Sequence, residues 1–439
     1  MDLWNRANVA LQQSKTVIQQ GTVTDVIGLI IEGSGPSVGV GATCEIRLAD
    51  RDVPAQIVGF RKDKILLMPL GDISGISPGA SIISRGKGDT FPVSADLLGR
   101  IIDPLGNPLD GKKNYEPEKE VAILQSPPPA LTRKRVSEPL DVGIKAVNGI
   151  LTVGKGQRVA IMAGSGVGKS TFLGMLARNA LSEINVIALV GERGREVREF
   201  VERDLGPEGL ARSVVVVATS DSSALMRIRA AMSATAIAEY FRDKGASVTL
   251  MVDSITRFCM AQREVGLAVG EPPTTAGYTP SVFAMLPKLL ERAGTCDGPG
   301  SITGFYTVLV EGDDMNEPIA DAVRGIVDGH FVLSRGLASK GHYPAIDINQ
   351  SLSRVMPDIV DPEHSASARK LREILARYAE VEDLITIGAY KGGQNPQVDF
   401  AVSRIEQVRN FLKQSPTDNI NWQDSLNSLL ESINIPSSL

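Results

Sequence analysis

The sequence predicts an α/β fold: a phosphate-loop core, preceded by a small β-barrel and followed by a C-terminal helical domain. Three observations predict it. Short β-rich runs separated by turn residues occupy about 17–88, apolar strand-like runs alternate with longer helical stretches over about 141–345, and helical periodicity takes over after Pro344. A chain of 439 residues has room for two to three domains at ~150 residues each.

Composition narrows the function classes. Forty-six Lys and Arg against 51 Asp and Glu leave a net charge of −5, which argues against a nucleic-acid coater or a polybasic membrane binder. Hydrophobic residues at 43% and charged residues at 22% suit a chain that buries a sizeable core. Aromatics at 5% leave little for a base-stacking platform. Three histidines (His330, His342, His364) and three scattered cysteines (Cys44, Cys259, Cys296) give no zinc spacing and no disulfide framework, and favour a reducing compartment. The start is polar and no run of 18 apolar residues exists, so the expectation is a soluble cytoplasmic protein.

The elements follow in order. Over 1–16, Leu3, Trp4, Ala7 and Leu11 fall at helical spacing, either a short frayed helix or a segment that docks a partner. Over 17–88, the runs Val17-Ile18, Val23 to Ile31, Ile57 to Phe60, Ile65 to Met68 and Ile82-Ile83 suggest the barrel. A turn-dense connector follows, and its Pro127-Pro128-Pro129 excludes helix and central strand. Arg158 to Met162, Val186 to Val190, Val214 to Ala218, Val248 to Val252 and Thr303 to Val310 read as buried parallel strands. Ala366 to Tyr378, Glu380 to Ile387, Val398 to Gln414 and Trp422 to Ile433 read as helices. The expected division is 1–16 docking segment, 17–88 barrel, 89–345 core with its connector, and 346–439 helical domain.

The strongest chemical signal is Ala163-Gly164-Ser165-Gly166-Val167-Gly168-Lys169-Ser170-Thr171, placed between a strand and a helical run. Glycines there let consecutive N–H groups converge on phosphate oxygens, the helix N-terminus adds its positive end, and Lys169 reaches the terminal phosphates. Ser170 offers a hydroxyl to Mg²⁺. Ala163 stands where the strict pattern has glycine. The apolar run Thr249 to Asp253 ends in a carboxylate that can hold the Mg²⁺ hydration shell or cap the next helix. Glu192, in the charged run Gly191 to Glu196, would emerge at the same sheet edge, although by spacing alone that run is equally a solvated loop with internal ion pairs.

Gly191-Glu192-Arg193-Gly194-Arg195-Glu196-Val197-Arg198-Glu199-Phe200 resembles the hexameric rotary and secretion ATPases, as do Asp253-Ser254-Ile255-Thr256-Arg257-Phe258 and Gly270-Glu271-Pro272-Pro273. Val310 to Asp321 and His342-Tyr343-Pro344-Ala345-Ile346-Asp347 resemble the type III secretion branch in particular, and the likeness as a whole covers nearly all of the chain from about 20 to 415. The form Ala-Gly-Ser-Gly-Val-Gly-Lys-Ser leans toward the flagellar export side of that branch rather than the injectisome side.

The resemblance implies a RecA-like core that hydrolyses ATP with Mg²⁺ to drive protein export. Lys169 and the loop residues hold phosphates, Glu192 polarises the lytic water, and Arg193 contacts the γ-phosphate or restrains Glu192. Tyr343 stacks on adenine, and Arg354 is an arginine finger that reaches a neighbouring subunit's nucleotide, an effect worth ~10³-fold or more in rate. Thr417 stands where the rotary synthases carry a base-holding Phe. A single chain with both Glu192 and Arg354 implies a homohexamer. Implied partners are a regulator at the N-terminus, a central stalk protein facing the Gln262–Pro280 loop, export substrates and chaperones, and the export gate at the inner membrane, with no nucleic acid. The alternatives are an injectisome ATPase, a non-catalytic rotary ring subunit, which would lack Glu192, and an RNA translocase, which the acidic balance disfavours.

Overall fold

The computed structural model describes residues 19–84, 88–310, 312, 314–393 and 395–434, so the expected docking segment 1–16 lies outside the described residues. Strands β1 (Gln20–Ile27), β2 (Ile30–Ser34), β3 (Thr43–Arg47), β4 (Asp52–Arg61), β5 (Lys64–Pro69) and β6 (Ser81–Ser84) close into a barrel in the order β1-β2-β5-β4-β3-β6. The run expected as one strand over Val23 to Ile31 is two, because Gly28 takes φ 58° and turns the chain into a hairpin. Strand β3 went unread: Cys44 and Ile46 face the barrel interior, while Glu45 and Arg47 dilute the apolar signal. In β5, Ile65 and Leu67 fill the barrel, whereas Leu66 and Met68 point outward and join the core of the next domain. That double burial accounts for the unbroken apolar run, since a strand covered on both faces has no need of alternation.

Among the described residues the central sheet has nine strands. Its main path uses β7 (Arg100–Ile102), β8 (Arg158–Ala163), β9 (Ile184–Glu192), β10 (Ser213–Thr219), β11 (Ser247–Asp253), β12 (Ser301–Leu309), β13 (Gly329–Leu333) and β14 (Ile346–Ser353). The order is β14-β13-β8-β12-β11-β9-β10-β7, with Gly294–Thr295 pairing off the path on β12. Every neighbour along the path is parallel except β14, which runs antiparallel to β13. Side-chain parity divides the two faces. Ala160, Met162, Val186, Ala188, Val214 and Val216 bury on one side, and Val159, Ile161, Ile187, Leu189 and Val215 on the other. The parallel strands and their crossover helices thus stand as the periodicity predicted.

Two segments of the sheet were expected elsewhere. Arg100–Ile102, inside the turn-dense connector, adds the parallel edge strand β7. Residues 346–353, expected at the head of the helical domain, form β14 instead and complete the sheet. Helix α1 (Lys169–Asn179) lies on the same face as the C-terminal helices α6 (Pro362–Ala379), α7 (Pro396–Leu412) and α8 (Trp422–Ile433). Helices α2 (Ala224–Asp243), α3 (Ile255–Val269), α4 (Pro280–Leu290) and α5 (Pro318–Ile326) cover the other face. Asp361, Asn395 and Asn421 cap α6, α7 and α8 by accepting a backbone N–H in the first turn.

One buried ion pair locks the connector to the core. Arg292, 1% exposed, gives bidentate bonds to Glu239 at 2.9 and 2.6 Å and a third bond to the Ile123 carbonyl at 2.7 Å. Removing one partner strands a buried charge, which costs about 3–5 kcal/mol, whereas replacing both with apolar groups is close to neutral. Arg292→Met is therefore expected to lower the denaturant midpoint sharply, with Arg292→Met/Glu239→Leu recovering most of the loss. A double variant no more stable than Arg292→Met would contradict this reading.

Candidate nucleotide site

Parallel strands all end on one edge, so the residues following β8, β11 and β9 are brought together by topology alone. Strand β8 ends at Ala163. That residue is 1% exposed and in ordinary strand conformation, so the site does not require glycine there. Gly164 is buried at the strand end, Ser165 and Gly166 are exposed, and Val167 tucks into the core. Gly166 (φ 77°) and Gly168 (φ 89°) take the left-handed conformation that swings the chain into α1. Gly168 is the N-cap of α1, and Lys169, Ser170 and Thr171 form its first turn. No side chain caps this helix, so its first N–H groups are left for an anion.

Lys169 reaches across the crevice. Its Nζ lies 2.5 Å from Asp253 Oδ1 and 3.1 Å from Glu192 Oε1. Asp253 is the last residue of β11, and the cap of the following helix is Ser254, whose hydroxyl accepts from the Arg257 N–H. The helix-cap alternative for Asp253 is thereby removed. Glu192 owes its position to a register shift between Val190 and Glu192 in the pairing with β10, next to Gly191 at φ 72°.

The electrostatics follow from one cation serving two carboxylates. Burial works against the Lys169 ammonium, but Asp253 and Glu192 outweigh it and its pKa is raised. Burial, then the Asp253 charge, push Glu192 up to about 7 against the pull of Lys169, and a hydrogen bond with Glu196 adds to the rise.

Other expected residues divide. The Tyr343 ring stands over Gly168, where a Cβ would meet it at 3.5 Å. With Val167, Thr171, Phe172 and Pro416 it lines a cavity of about 310 Å³ beside the phosphate loop. Gln414, unassigned by the sequence reading, closes this cavity: its N–H donates to the Tyr343 carbonyl at 2.9 Å and its amide bonds Gly143 and Lys145. Thr417 is not among the lining residues, and its hydroxyl pairs with Ser415. Arg193 is not brought to Glu192. Its side chain is 79% exposed and pairs with Glu196, part of the solvated ion-pair ladder that the spacing also allowed. Arg257 packs its aliphatic stem against Gly191 with its Nε buried and without a partner, a residue that the sequence reading left without a role.

Arg354 sits on the opposite edge. Its N–H donates to the Asp328 carbonyl before β13, and its guanidinium reaches the carbonyls of Val327 and Arg324 at 3.4 Å. Strand β8, six residues long, separates that edge from the phosphate loop, about 15–20 Å. An arginine side chain does not cover that distance.

A hydroxyl (Ser170) and a carboxylate (Asp253) converge on one edge, hard oxygen donors that suit Mg²⁺ alongside phosphate oxygens and water. Among the described residues no cluster of three or more His, Cys, Asp or Glu forms an all-protein metal cage, and no helix is long and apolar enough to cross a membrane.

Fold and crevice together define a P-loop nucleotide hydrolase with a barrel at one end and helices at the other. The chain belongs to the ATP synthase alpha/beta family. Residues 143–353 match that family's nucleotide-binding domain, 23–86 its beta-barrel domain, and 360–431 the T3SS EscN ATPase C-terminal domain. The flagellum-specific ATP synthase of Bacillus subtilis is 52% identical over 95% of this chain and 96% of that protein. The type 3 secretion system ATPase of Xanthomonas euvesicatoria is 50% identical over 94% and 93% respectively. The assembled ATPase EscN of enteropathogenic E. coli superposes with a TM-score of 0.90 at 44% identity over 94% of this chain and all of that one. EscN in complex with its central stalk EscO gives 0.88 at 43% over the same shares.

If Glu192 serves as the base, it is competent only when ionised, so activity should be lost as pH falls through its raised pKa. The acid limb of kcat/KM for ATP hydrolysis is expected close to pH 7, because that limb reports the free enzyme. A limb at the ordinary carboxylate value near pH 4.5 would show that the crevice does not hold Glu192 in this state.

Proposed function

We propose that the chain hydrolyses ATP to drive protein export through the flagellar type III apparatus, with its catalytic residues shared between neighbouring copies. The observation that carries this reading is the Lys169 bridge between Glu192 and Asp253 at the phosphate loop. Lys169 is held in the crevice by two carboxylates whose combined charge it cannot cancel. Phosphate oxygens arriving on the α1 N-terminus offer it a stronger partner. As Lys169 turns to the phosphates, Glu192 loses its ion pair and is free to accept a proton from water aligned on the γ-phosphate. Ser170 and Asp253 would hold magnesium, which when bound would supply charge neutralisation for the transferring group.

The cavity beneath Tyr343 takes the base, its apolar lining from Phe172, Met175 and Pro416 suiting a planar ring. Arg354 completes the site in trans. It is too far from its own chain's phosphate loop, and it faces outward at the sheet's other edge, so a neighbour's nucleotide is its target. A head-to-tail arrangement of this kind closes into a ring when the rotation closes, and a homohexamer satisfies every site. The solved relatives support assembly and a central stalk: EscN is described as assembled and as bound to its stalk EscO. By the same resemblance we assign a regulator to the N-terminal segment, substrates and chaperones as cargo, and a peripheral place at the inner-membrane export gate. Arg193, with its head in solvent, takes no part in the chemistry of the isolated chain. An injectisome role is the second reading, favoured by the 50% identity to the Xanthomonas enzyme.

Glu192→Gln keeps the shape of the side chain and removes the base. Hydrolysis is expected to fall by about 10²–10⁴-fold while nucleotide affinity stays within a few-fold. A variant retaining near wild-type turnover would overturn the assignment.

A further inference from the structure

Strand β12 lies between β8 and β11, and Thr307, paired with Ile161, is fully buried two residues before its end. Its Oγ1 donates to Asp253 Oδ1 at 2.6 Å, the length of a charge-assisted hydroxyl–carboxylate bond, and lies 3.3 Å from the Val252 carbonyl. A hydroxyl has one proton, and the shorter contact to the charged acceptor takes it. Lys169 Nζ lies 2.5 Å from the same carboxylate oxygen. Asp253 Oδ1 is therefore held twice, once by a flexible ammonium and once by a hydroxyl fixed on a buried strand.

The two holds are not equivalent. Lys169 sits on the four-carbon stem that must swing to nucleotide phosphates, while Thr307 is β-branched, stiff at χ1 and enclosed on both faces. When Lys169 departs, Asp253 is left as a buried carboxylate with Thr307 as the anchor of its Oδ1. Strand β12 also fixes the neighbouring helix: the Leu309 N–H donates to the Thr256 hydroxyl at 2.8 Å in the first turn of α3. The sheet thus secures both the end of β11 and the start of α3 from one strand.

We infer that Thr307 is a positioning residue, whose hydroxyl keeps the Asp253 carboxylate aimed at the metal position while Lys169 is engaged with nucleotide. The inference rests on the magnesium role proposed for Asp253. In the sequence the residue is invisible, because a threonine in a buried β-run reads as ordinary β-branched filling.

The test uses the full-length chain, a fluorescent ADP analogue and two conditions, excess magnesium and EDTA. Thr307→Val preserves shape and removes the hydroxyl; Thr307→Ser keeps the hydroxyl. With Thr307→Val, affinity in EDTA is expected within about twofold of wild type, while the gain in affinity on adding magnesium shrinks by about ten- to hundredfold, the range for losing a hydrogen bond to a charged group. Thr307→Ser should restore most of that gain. A Thr307→Val chain with the wild-type magnesium response overturns the inference, and so does a Thr307→Ser chain that behaves like Thr307→Val. A wild-type chain whose affinity ignores magnesium removes the metal role of Asp253 itself, and the inference with it.

Discussion

Everything at the site depends on one ammonium placed between two buried carboxylates. Parallel strands deliver Glu192 and Asp253 to the same edge, and the phosphate loop delivers Lys169 between them. One positive charge cannot satisfy two largely buried negative ones, so one carboxylate is left with its proton affinity raised. That imbalance makes the site receptive to an anionic ligand. On the proposed mechanism, nucleotide phosphates draw Lys169 away and leave Glu192 and Asp253 with separate tasks. The rest of the core serves to hold this arrangement: the bulge at Gly191, the cap at Ser254 and the buried hydroxyl of Thr307.

The second constraint is the length of a strand. A parallel sheet has two edges, and a residue on one cannot act at the other. Arg354 enters at the far edge because β14 runs antiparallel and ends beside Asp328. On the proposed reading, the distance that excludes it from its own phosphate loop makes a neighbouring copy part of the reaction. That reading couples activity to assembly by geometry. The C-terminal region joins the same system through Gln414, which bonds the Tyr343 backbone and the loop at Gly143, so the cavity beneath Tyr343 is built from two parts of the chain.

Much of this was legible in the sequence, for identifiable reasons. The buried strands announced themselves as Val- and Ala-rich runs, and the phosphate loop by glycines whose left-handed φ angles the structure shows at Gly166 and Gly168. Trp422 to Ile433 was read with its observed ends because Asn421 caps it and its apolar stripe is clear. What escaped was set by tertiary context. Strand β7 is three residues long and sits among prolines, and β14 carries Asp347, Asn349 and Gln350, which suppress an apolar pattern. Arg193 looked catalytic beside Glu192, yet consecutive residues at a strand end point apart, and its head turns to Glu196. Gln414 and Thr307 act only through partners distant in sequence, and no local pattern marks them.

The central claim is that each reaction uses Glu192 from one chain and Arg354 from its neighbour. Mixing two inactive chains, Glu192→Gln and Arg354→Ala, tests it directly by ATP turnover. Some interfaces of a mixed ring pair the intact Glu192 of one variant with the intact Arg354 of the other. An equal mixture that assembles at random should recover up to about a quarter of wild-type activity, the share of such heterologous interfaces. A mixture as inactive as its separate components, under conditions where the chains assemble together, would contradict the account.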